Sequence, residues 1–245
     1  MNKLKELNNY ITNSNNIVFF GGAGVSTASG IKDFRSKDGL YNEQYKYPPE
    51  EILNHSFFIN NQEEFYKFYR EKLNCLDALP NICHKYLTKL EQSGKLKAII
   101  TQNIDGLHQK AKSTNILELH GTIYKNHCIS CQKEYPPEKI FNEKKIPTCS
   151  CGNLIKPDVV LYEEPLDENI INKTITAIEK ADLLLVVGTS LTVYPASSFI
   201  RYFKGNHLII INKDTTPMDN LANLVINENI KYVFSYLDKN YNPKS

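Results

Sequence analysis

Short, continuous apolar runs alternate with longer stretches of helical spacing along most of this chain. Residues 4–12 carry apolar side chains at helical intervals and end in a polar cluster at 13–16. An apolar run at 17–20 then opens directly into GGAGVSTASG, an order that predicts a buried strand, a tight turn and a helix. Further apolar runs at 97–100, 116–119, 183–187, 208–211 and 225–226 predict buried strands, and 158–162 a shorter strand-like run. Helical spacing recurs through 49–91, at 170–181 and at 196–203. Unbroken apolar strands alternating with helices predict an α/β fold: four or five buried parallel strands with helices on both faces. Polar residues crowd the C-terminal end of nearly every strand, as TQNIDG, HG, GTS and NKD. In an open α/β sheet, that edge is where ligands bind.

The pattern breaks at 125–157, which is rich in Cys, Pro and Lys with little periodicity. It reads as an inserted, loop-rich module held together by something other than an apolar core. Four of the six cysteines fall here, as the pairs Cys128/Cys131 and Cys149/Cys151 with 17 residues between them. Four thiolates at that spacing suit one tetrahedral Zn²⁺, and a four-sulfur shell leaves no open position for chemistry. The second pair is C-x-C, which tightens the chelate loop slightly. His127 is superfluous once four sulfurs are present, and Cys75 and Cys83 read as helix-packing thiols.

Composition adds mainly exclusions. With 245 residues, 41% of them hydrophobic and 23% charged, the chain suits one well-packed domain and not extended disorder. Net charge is +2, so nothing global points to nucleic acid or an anionic membrane. No apolar run approaches the roughly 20 residues that span a bilayer. The opening MNKLKELNN lacks the apolar core of a signal peptide, so the expected location is cytoplasmic.

Gly22-Ala23-Gly24 after the first strand is where backbone approaches a pyrophosphate, with a helix N-terminus supplying free N–H groups. The third glycine of the usual dinucleotide fingerprint is missing, as is an acidic residue about 20 positions on, which argues against a hydride-transfer enzyme. Asp33, Phe34 and Arg35 follow in the same loop. An arginine there suits bidentate phosphate binding, and the phenylalanine suits shielding a reactive sugar carbon from water.

Taken together, GAGVSTASGIKDFRS, TQNIDGLH, LHG, the cysteine pairs, KPDVVLYEEPL, GTSL and INKD resemble the sirtuin family in order and spacing, over about residues 17–230. The resemblance is closest to bacterial, Firmicutes-type NAD-dependent protein deacetylases. It implies a Rossmann-like large part (about 1–36, 92–122 and 158–245). A small part would be helical over 37–91 and zinc-bearing over 123–157, with an acyl-lysine peptide threading the cleft between the two. It also implies an NAD⁺ site built from Gly22, Ala23, Gly24, Thr27, Asp33, Phe34 and Arg35. Gln102 and Asn103 would contact the nicotinamide ribose, and Ile104 and Asp105 would hold the nicotinamide amide. Thr189 and Ser190 would meet phosphate and ribose, Asn212 the adenosine ribose and Ile230 the adenine edge, with Gly188, Lys213 and Asp214 also among the NAD⁺-binding residues. His120 and Asn103 would be catalytic, His120 as general base. Val159, Val160, Leu161 and Tyr162 would pair with the substrate backbone as an added strand.

The chemistry so implied begins with the acyl oxygen attacking the anomeric carbon of the nicotinamide ribose and expelling nicotinamide. It ends with a ribose hydroxyl, deprotonated by His120, capturing the acyl group. Partners would be acyl-lysine proteins or peptides, the co-substrate NAD⁺ and one structural zinc, with the enzyme a monomer. His108 reads as structural, and His55, His84 and His207 as surface or packing residues.

Three positions depart from the family pattern: Lys32 for Pro, Leu161 for Phe or Trp, and Glu163 for Gly. Sirtuins that prefer succinyl-lysine hold its carboxylate with a Tyr-x-x-Arg pair. Here Arg70 comes one residue late after Tyr66, about 100° off around a helix. The expectation is that Tyr66 faces the acyl channel while Lys67 and Arg70 turn aside, which favours acetyl and longer neutral acyl groups. A mono-ADP-ribosyltransferase, a non-catalytic NAD⁺ sensor or zinc-ribbon module, and a dehydrogenase are the competing readings.

Overall fold

The computed structural model describes residues 2–34, 39–42 and 44–241. Its strands are β1 (Ile17–Gly21), β2 (Leu96–Thr101), β3 (Ile116–Glu118), β4 (Gly121–Cys128), β5 (Glu134–Tyr135), β6 (Ile155–Val159), β7 (Leu183–Val187), β8 (His207–Ile211) and β9 (Leu224–Ile226). Its α-helices are α1 (Lys3–Asn13), α2 (Pro49–Ile52), α3 (His55–Asn60), α4 (Gln62–Leu73), α5 (Ile82–Gln92), α6 (Leu107–Lys110), α7 (Glu138–Phe141), α8 (Glu168–Lys180) and α9 (Ile230–Asn240).

Six strands form one parallel sheet in the order β3-β2-β1-β7-β8-β9. This exceeds the four or five expected: each of the six apolar runs at 17–20, 97–100, 116–119, 183–187, 208–211 and 225–226 supplies a strand, including the three-residue edge strands β3 and β9. Alternation along the central strands feeds two cores. Ile17, Phe19, Leu185 and Val187 pack with α1, α5 and α9 on one face. Val18, Phe20, Leu184 and Val186 pack with Ile178 of α8 and Phe199 on the other. Each large side chain so buried contributes about 1.5–3 kcal/mol. Helix α5, grouped with the helical segment by sequence spacing, thus sits on the parallel sheet. The helical run expected at 196–203 is a 3-10 helix over Ala196–Tyr202.

The segment expected to be loop-rich contains a second, antiparallel sheet in the order β5-β4-β6. It does have an apolar core, shared with the helices before it. Ile123, Cys128, Cys149 and Ile155 pack against Phe57, Phe58, Phe65 and Tyr69 from α3 and α4. The stack of Phe65 on Tyr69, and of Tyr69 on Phe141, continues that core into α7. Tyr66 belongs here as well: it is fully buried, and its hydroxyl donates to the Ile155 carbonyl at 2.6 Å. It therefore does not face an acyl channel. Arg70 turns aside as expected, its guanidinium donating to the carbonyls of Ile140, Lys144 and Lys145. Tyr66 and Arg70 fasten the small sheet and its loop to α4.

Candidate active site

In the large sheet the chain runs outward from β1 through β2 to β3, then returns to the other side of β1 and runs outward through β7, β8 and β9. The switch in direction opens a crevice beyond the C-terminal ends of β1 and β7, the expected ligand position in such a sheet. The glycines there serve first to let two loops interlock. Gly24 N–H donates to the Gly188 carbonyl at 2.9 Å, and Gly22 N–H to Val187 at 3.0 Å. A Cβ on Gly22 would lie 2.7 Å from Thr189 Cβ. Gly188 has φ +61°, and a Cβ on it would lie 2.6 Å from Val25 N. After this contact the chain forms a 3-10 helix over Ala23–Ser29, ended by Gly30, where an α-helix was expected. The anion site suggested by a full helix dipole is therefore shorter, and rests more on individual N–H groups.

A hydrogen-bonded chain crosses the crevice floor. Asn103 Nδ2 donates to Ser26 Oγ at 3.0 Å, and the Ser26 hydroxyl donates to Asp105 Oδ2 at 2.6 Å. Asp105 also accepts from Leu107 N–H at 2.9 Å. Burial pushes the Asp105 carboxyl above its ordinary pKa, opposed by the bonds from Ser26 and Leu107. Nearby, Gln102 Nε2 donates to Thr189 Oγ1 at 3.0 Å, tying the end of β2 to the end of β7. Ser26 was not singled out from the sequence; its pairing with Asp105 spans 79 residues and leaves no local signal.

His120 sits at the junction of the two sheets, between β3 and β4. Its Nδ1 lies 2.9 Å from the Gln102 carbonyl. A carbonyl only accepts, so the proton resides on Nδ1 and Nε2 is left as the basic nitrogen. Burial lowers the imidazole pKa, with the Gln102 bond acting the other way. The ring is therefore neutral at pH 7, a state suited to accepting a proton.

On the opposite wall the expected added strand is only partly a strand. Val159 ends β6, antiparallel to β4, and residues 160–162 leave the sheet. Val160 N–H donates to His120 O at 3.0 Å, Tyr162 N–H to Leu53 O at 2.9 Å, and Leu161 N–H to Glu164 Oε2 at 2.9 Å. Those three donors are engaged within the chain. Leu161 is buried in the wall. Tyr162 Oη lies 3.0 Å from Tyr41 Oη across the cleft mouth.

At the far end of the small sheet the four cysteine sulfurs lie within 4.8 Å of one another. Cys128–Cys151 is 3.4 Å and Cys131–Cys149 is 3.5 Å. Sulfurs around a tetrahedral Zn²⁺ at about 2.3 Å are about 3.8 Å apart, so the set fits that ion. Two donors aim at the sulfurs as they would at thiolates: Tyr135 Oη on Cys149 at 3.0 Å and Asn153 Nδ2 on Cys151 at 3.5 Å. The C-x-C pair is accommodated by a turn, in which Gly152 N–H meets Cys149 O at 2.9 Å.

One cleft of about 1110 Å³ runs between these walls. It is lined by Gly22, Ala23, Gly24, Thr27, Asp33 and Phe34, by Gln102 to Asp105 and His120, and by Val159 to Tyr162. Gly188 to Ser190, Asn212 to Asp214 and Ile230 line it too. Arg35 lies outside the described residues. Cys75, read from sequence as a helix-packing thiol, follows the end of α4 and lines the cleft, with burial raising its pKa to about 12. His84 and His108 are buried against each other, 4.7 Å between rings. No helix among the described residues is long and apolar enough to cross a membrane.

A nucleotide crevice facing a cysteine-bearing module, with one neutral histidine between them, defines an enzyme that uses a dinucleotide alongside a structural metal. The chain matches the Sir2 family over residues 22–195 and belongs to it. It is 55% identical over 234 residues to an NAD-dependent protein deacetylase of Clostridium acetobutylicum, covering 94% of this chain and 96% of the relative. Its fold is similar to that of a Sir2 variant solved with a deacetylated p53 peptide and 3'-O-acetyl ADP ribose (TM-score 0.89, 36% identity, 96% of this chain and 97% of that one). It is also similar to a Sir2 enzyme bound to a propionylated peptide (TM-score 0.83, 36% identity, 97% and 96% covered).

Proposed function

We propose that the cleft binds NAD⁺ and an acyl-lysine side chain together, and that the protein removes acetyl and longer neutral acyl groups from protein lysines. The chain is a sirtuin, an NAD-dependent protein deacetylase releasing nicotinamide and O-acyl-ADP-ribose. The observation that carries this reading is the His120 ring, held by Gln102 with Nε2 as its basic nitrogen, in the same cleft as the Asn103–Ser26–Asp105 chain.

In this reading the interlocked Gly22–Gly24 and Gly188–Ser190 loops receive the pyrophosphate, with Thr27 beside it; the phosphate role expected of Arg35 falls outside the described residues. Asn212, Lys213, Asp214 and Ile230 take the adenosine end. Asp105 and Ile104 hold the nicotinamide amide, with Asp105 oriented by Ser26. Gln102 and Asn103 meet the ribose, and Asp33 holds the loop from which Phe34 covers the sugar carbon once nicotinamide leaves. Asn103 is catalytic through the ribose and His120 through proton removal from its hydroxyl. The acyl-lysine enters beside Val159 to Tyr162, with Leu161 against the acyl chain. Zinc held by Cys128, Cys131, Cys149 and Cys151 supports the small sheet and takes no part in the reaction.

The large part carries the parallel sheet and the small part the helices α2–α4 with the second sheet. The enzyme acts as a monomer in the cytoplasm, independent of nucleic acid or membrane. Acyl preference follows from Arg70. Its guanidinium is bonded to three carbonyls, so a distal carboxylate entering the channel would lose water without gaining that partner. With NAD⁺ and matched peptides, the acetyl-lysine peptide is expected to exceed its succinyl twin by at least about tenfold in kcat/KM, about 1.4 kcal/mol. Equal turnover of the two would contradict the assignment of the channel.

A further inference from the structure

Glu163 stands in left-handed backbone, φ +74°, where a side chain crowds its own carbonyl and glycine is favoured. Such a conformation persists where the surroundings over-determine it. The surroundings here are specific. The Glu163 carboxylate accepts from the Ser56 N–H at 2.8 Å and from the Ser56 hydroxyl at 2.7 Å. The neighbouring Glu164 carboxylate accepts from Leu161 N–H at 2.9 Å and from His55 Nδ1 at 2.8 Å, and lies 2.9 Å from Lys156 Nζ. Between these anchors, Tyr162 pairs in both directions with the entry to α3: its N–H donates to Leu53 O at 2.9 Å, and its carbonyl accepts from His55 N–H at 3.0 Å. Two consecutive carboxylates thus bracket the turn that follows Leu161 and fix it against residues 53–56.

We propose that Glu163, acting with Ser56, is a positioning residue for the acyl-peptide side of the cleft. It holds Leu161 and Tyr162 in the geometry that receives the substrate, and so sets affinity for the acyl-lysine peptide without contributing to NAD⁺ binding. This rests on the functional reading above. The nucleotide side is held by separate bonds, Asn103–Ser26–Asp105 and Gln102–Thr189, none of which involves Glu163. A wall fixed before the peptide arrives spares the ordering cost on binding.

Glu163→Gly is the informative change. It relieves the left-handed strain and removes the carboxylate together, so the two effects on folding oppose each other. The variant is expected to raise KM for an acetyl-lysine peptide about three- to tenfold, the size expected from losing one helix-capping carboxylate. KM for NAD⁺ and kcat stay within about twofold, as does nicotinamide exchange measured at saturating peptide. Ser56→Ala raises peptide KM in the same sense but less, because one of the two bonds survives. Glu163→Gln, which keeps an acceptor oxygen, recovers most of the wild-type value. A peptide KM unchanged in Glu163→Gly, or KM for NAD⁺ rising in parallel with it, overturns the proposal. Wild-type protein that deacylates no acetyl-lysine peptide breaks the functional reading itself; normal wild-type turnover with an unmoved peptide KM in the variant breaks this inference alone.

Discussion

The parallel sheet buries Phe19 and Phe20, neighbours on one strand, beneath two different layers of helices. The antiparallel sheet shares a single apolar core with α3, α4 and α7 and ends in four cysteines. One wall of the cleft is thus supported on both faces by its own helices, and the other by borrowed aromatics, two side-chain staples and four cysteines that suit a metal ion. A small sheet with one apolar face buries too little to stand alone, which is the condition under which a structural zinc becomes part of folding. The cleft joins a self-supporting wall, proposed for the nucleotide, to a smaller wall, proposed for the substrate, whose order would depend on the metal, and His120 belongs to the connection between them.

The largest effect should come from withdrawing the metal. Apparent zinc affinities in small modules correspond to about 10–16 kcal/mol. Strong chelation, or Cys149→Ser, is therefore expected to unfold the small sheet while leaving the large one folded. Amide hydrogen exchange would rise across β4 to β6 and stay slow in β1 and β7, with deacylation lost. Unchanged protection in β4 to β6 on metal removal would dissolve the distinction between the two walls.

Next in size is His120→Ala. Removing the base should lower kcat for deacylation about 10²–10⁴-fold. NAD⁺ affinity by calorimetry should barely move, since the glycine loops are elsewhere. Exchange of labelled nicotinamide should survive better than deacylation, because it needs only the first step. A variant that keeps near-normal kcat would remove His120 from the proposed mechanism.

The nucleotide wall is tested by Gly188→Ala. A Cβ there meets Val25 N at 2.6 Å from a left-handed backbone. The expected cost is about 2–4 kcal/mol by denaturant unfolding, with weaker NAD⁺ binding. Stability within about 0.5 kcal/mol of wild type would mean the loops do not interlock as described.

These features differ in how far they were legible from sequence. The central strands were readable because β1, β2 and β7 are unbroken or nearly unbroken apolar runs. β3 and β9 were legible as short apolar runs. β4 was hidden and β6 was placed about three residues late, because their apolar partners lie on α3 and α4, far away in sequence. The cysteine set was legible from spacing alone, since chelation imposes local pairs. The Ser26–Asp105 bond and the burial of Tyr66 were not, because each is decided by a contact across about 80 or more residues. Helical periodicity gives the angle between Tyr66 and Arg70, but not which neighbour each side of the helix meets.

The smallest effect is on pH dependence. Burial lowers the pKa of His120 from its ordinary 6.5, so it stays neutral and basic somewhat below that pH. The acid limb of kcat/KM should therefore fall below the usual histidine range. The same sign holds for folding. A buried neutral histidine binds fewer protons than its unfolded counterpart, so its contribution is present above about pH 6.5 and lost on acidification. His84, lowered to about 4, adds to that loss between pH 6.5 and 4. An acid limb at or above 6.5 would mean the imidazole is solvated or paired with an acid.

The central claim is that both walls act on one reaction, in which net consumption of NAD⁺ is tied to deacylation of lysine. It is tested most directly by single-turnover mass spectrometry of the wild-type protein with NAD⁺ and an acetyl-lysine peptide. The account predicts nicotinamide, deacylated peptide and O-acetyl-ADP-ribose in equal amounts, with the protein's own mass unchanged. Nicotinamide released while the peptide keeps its acetyl group, with ADP-ribose attached to a protein side chain, would contradict it.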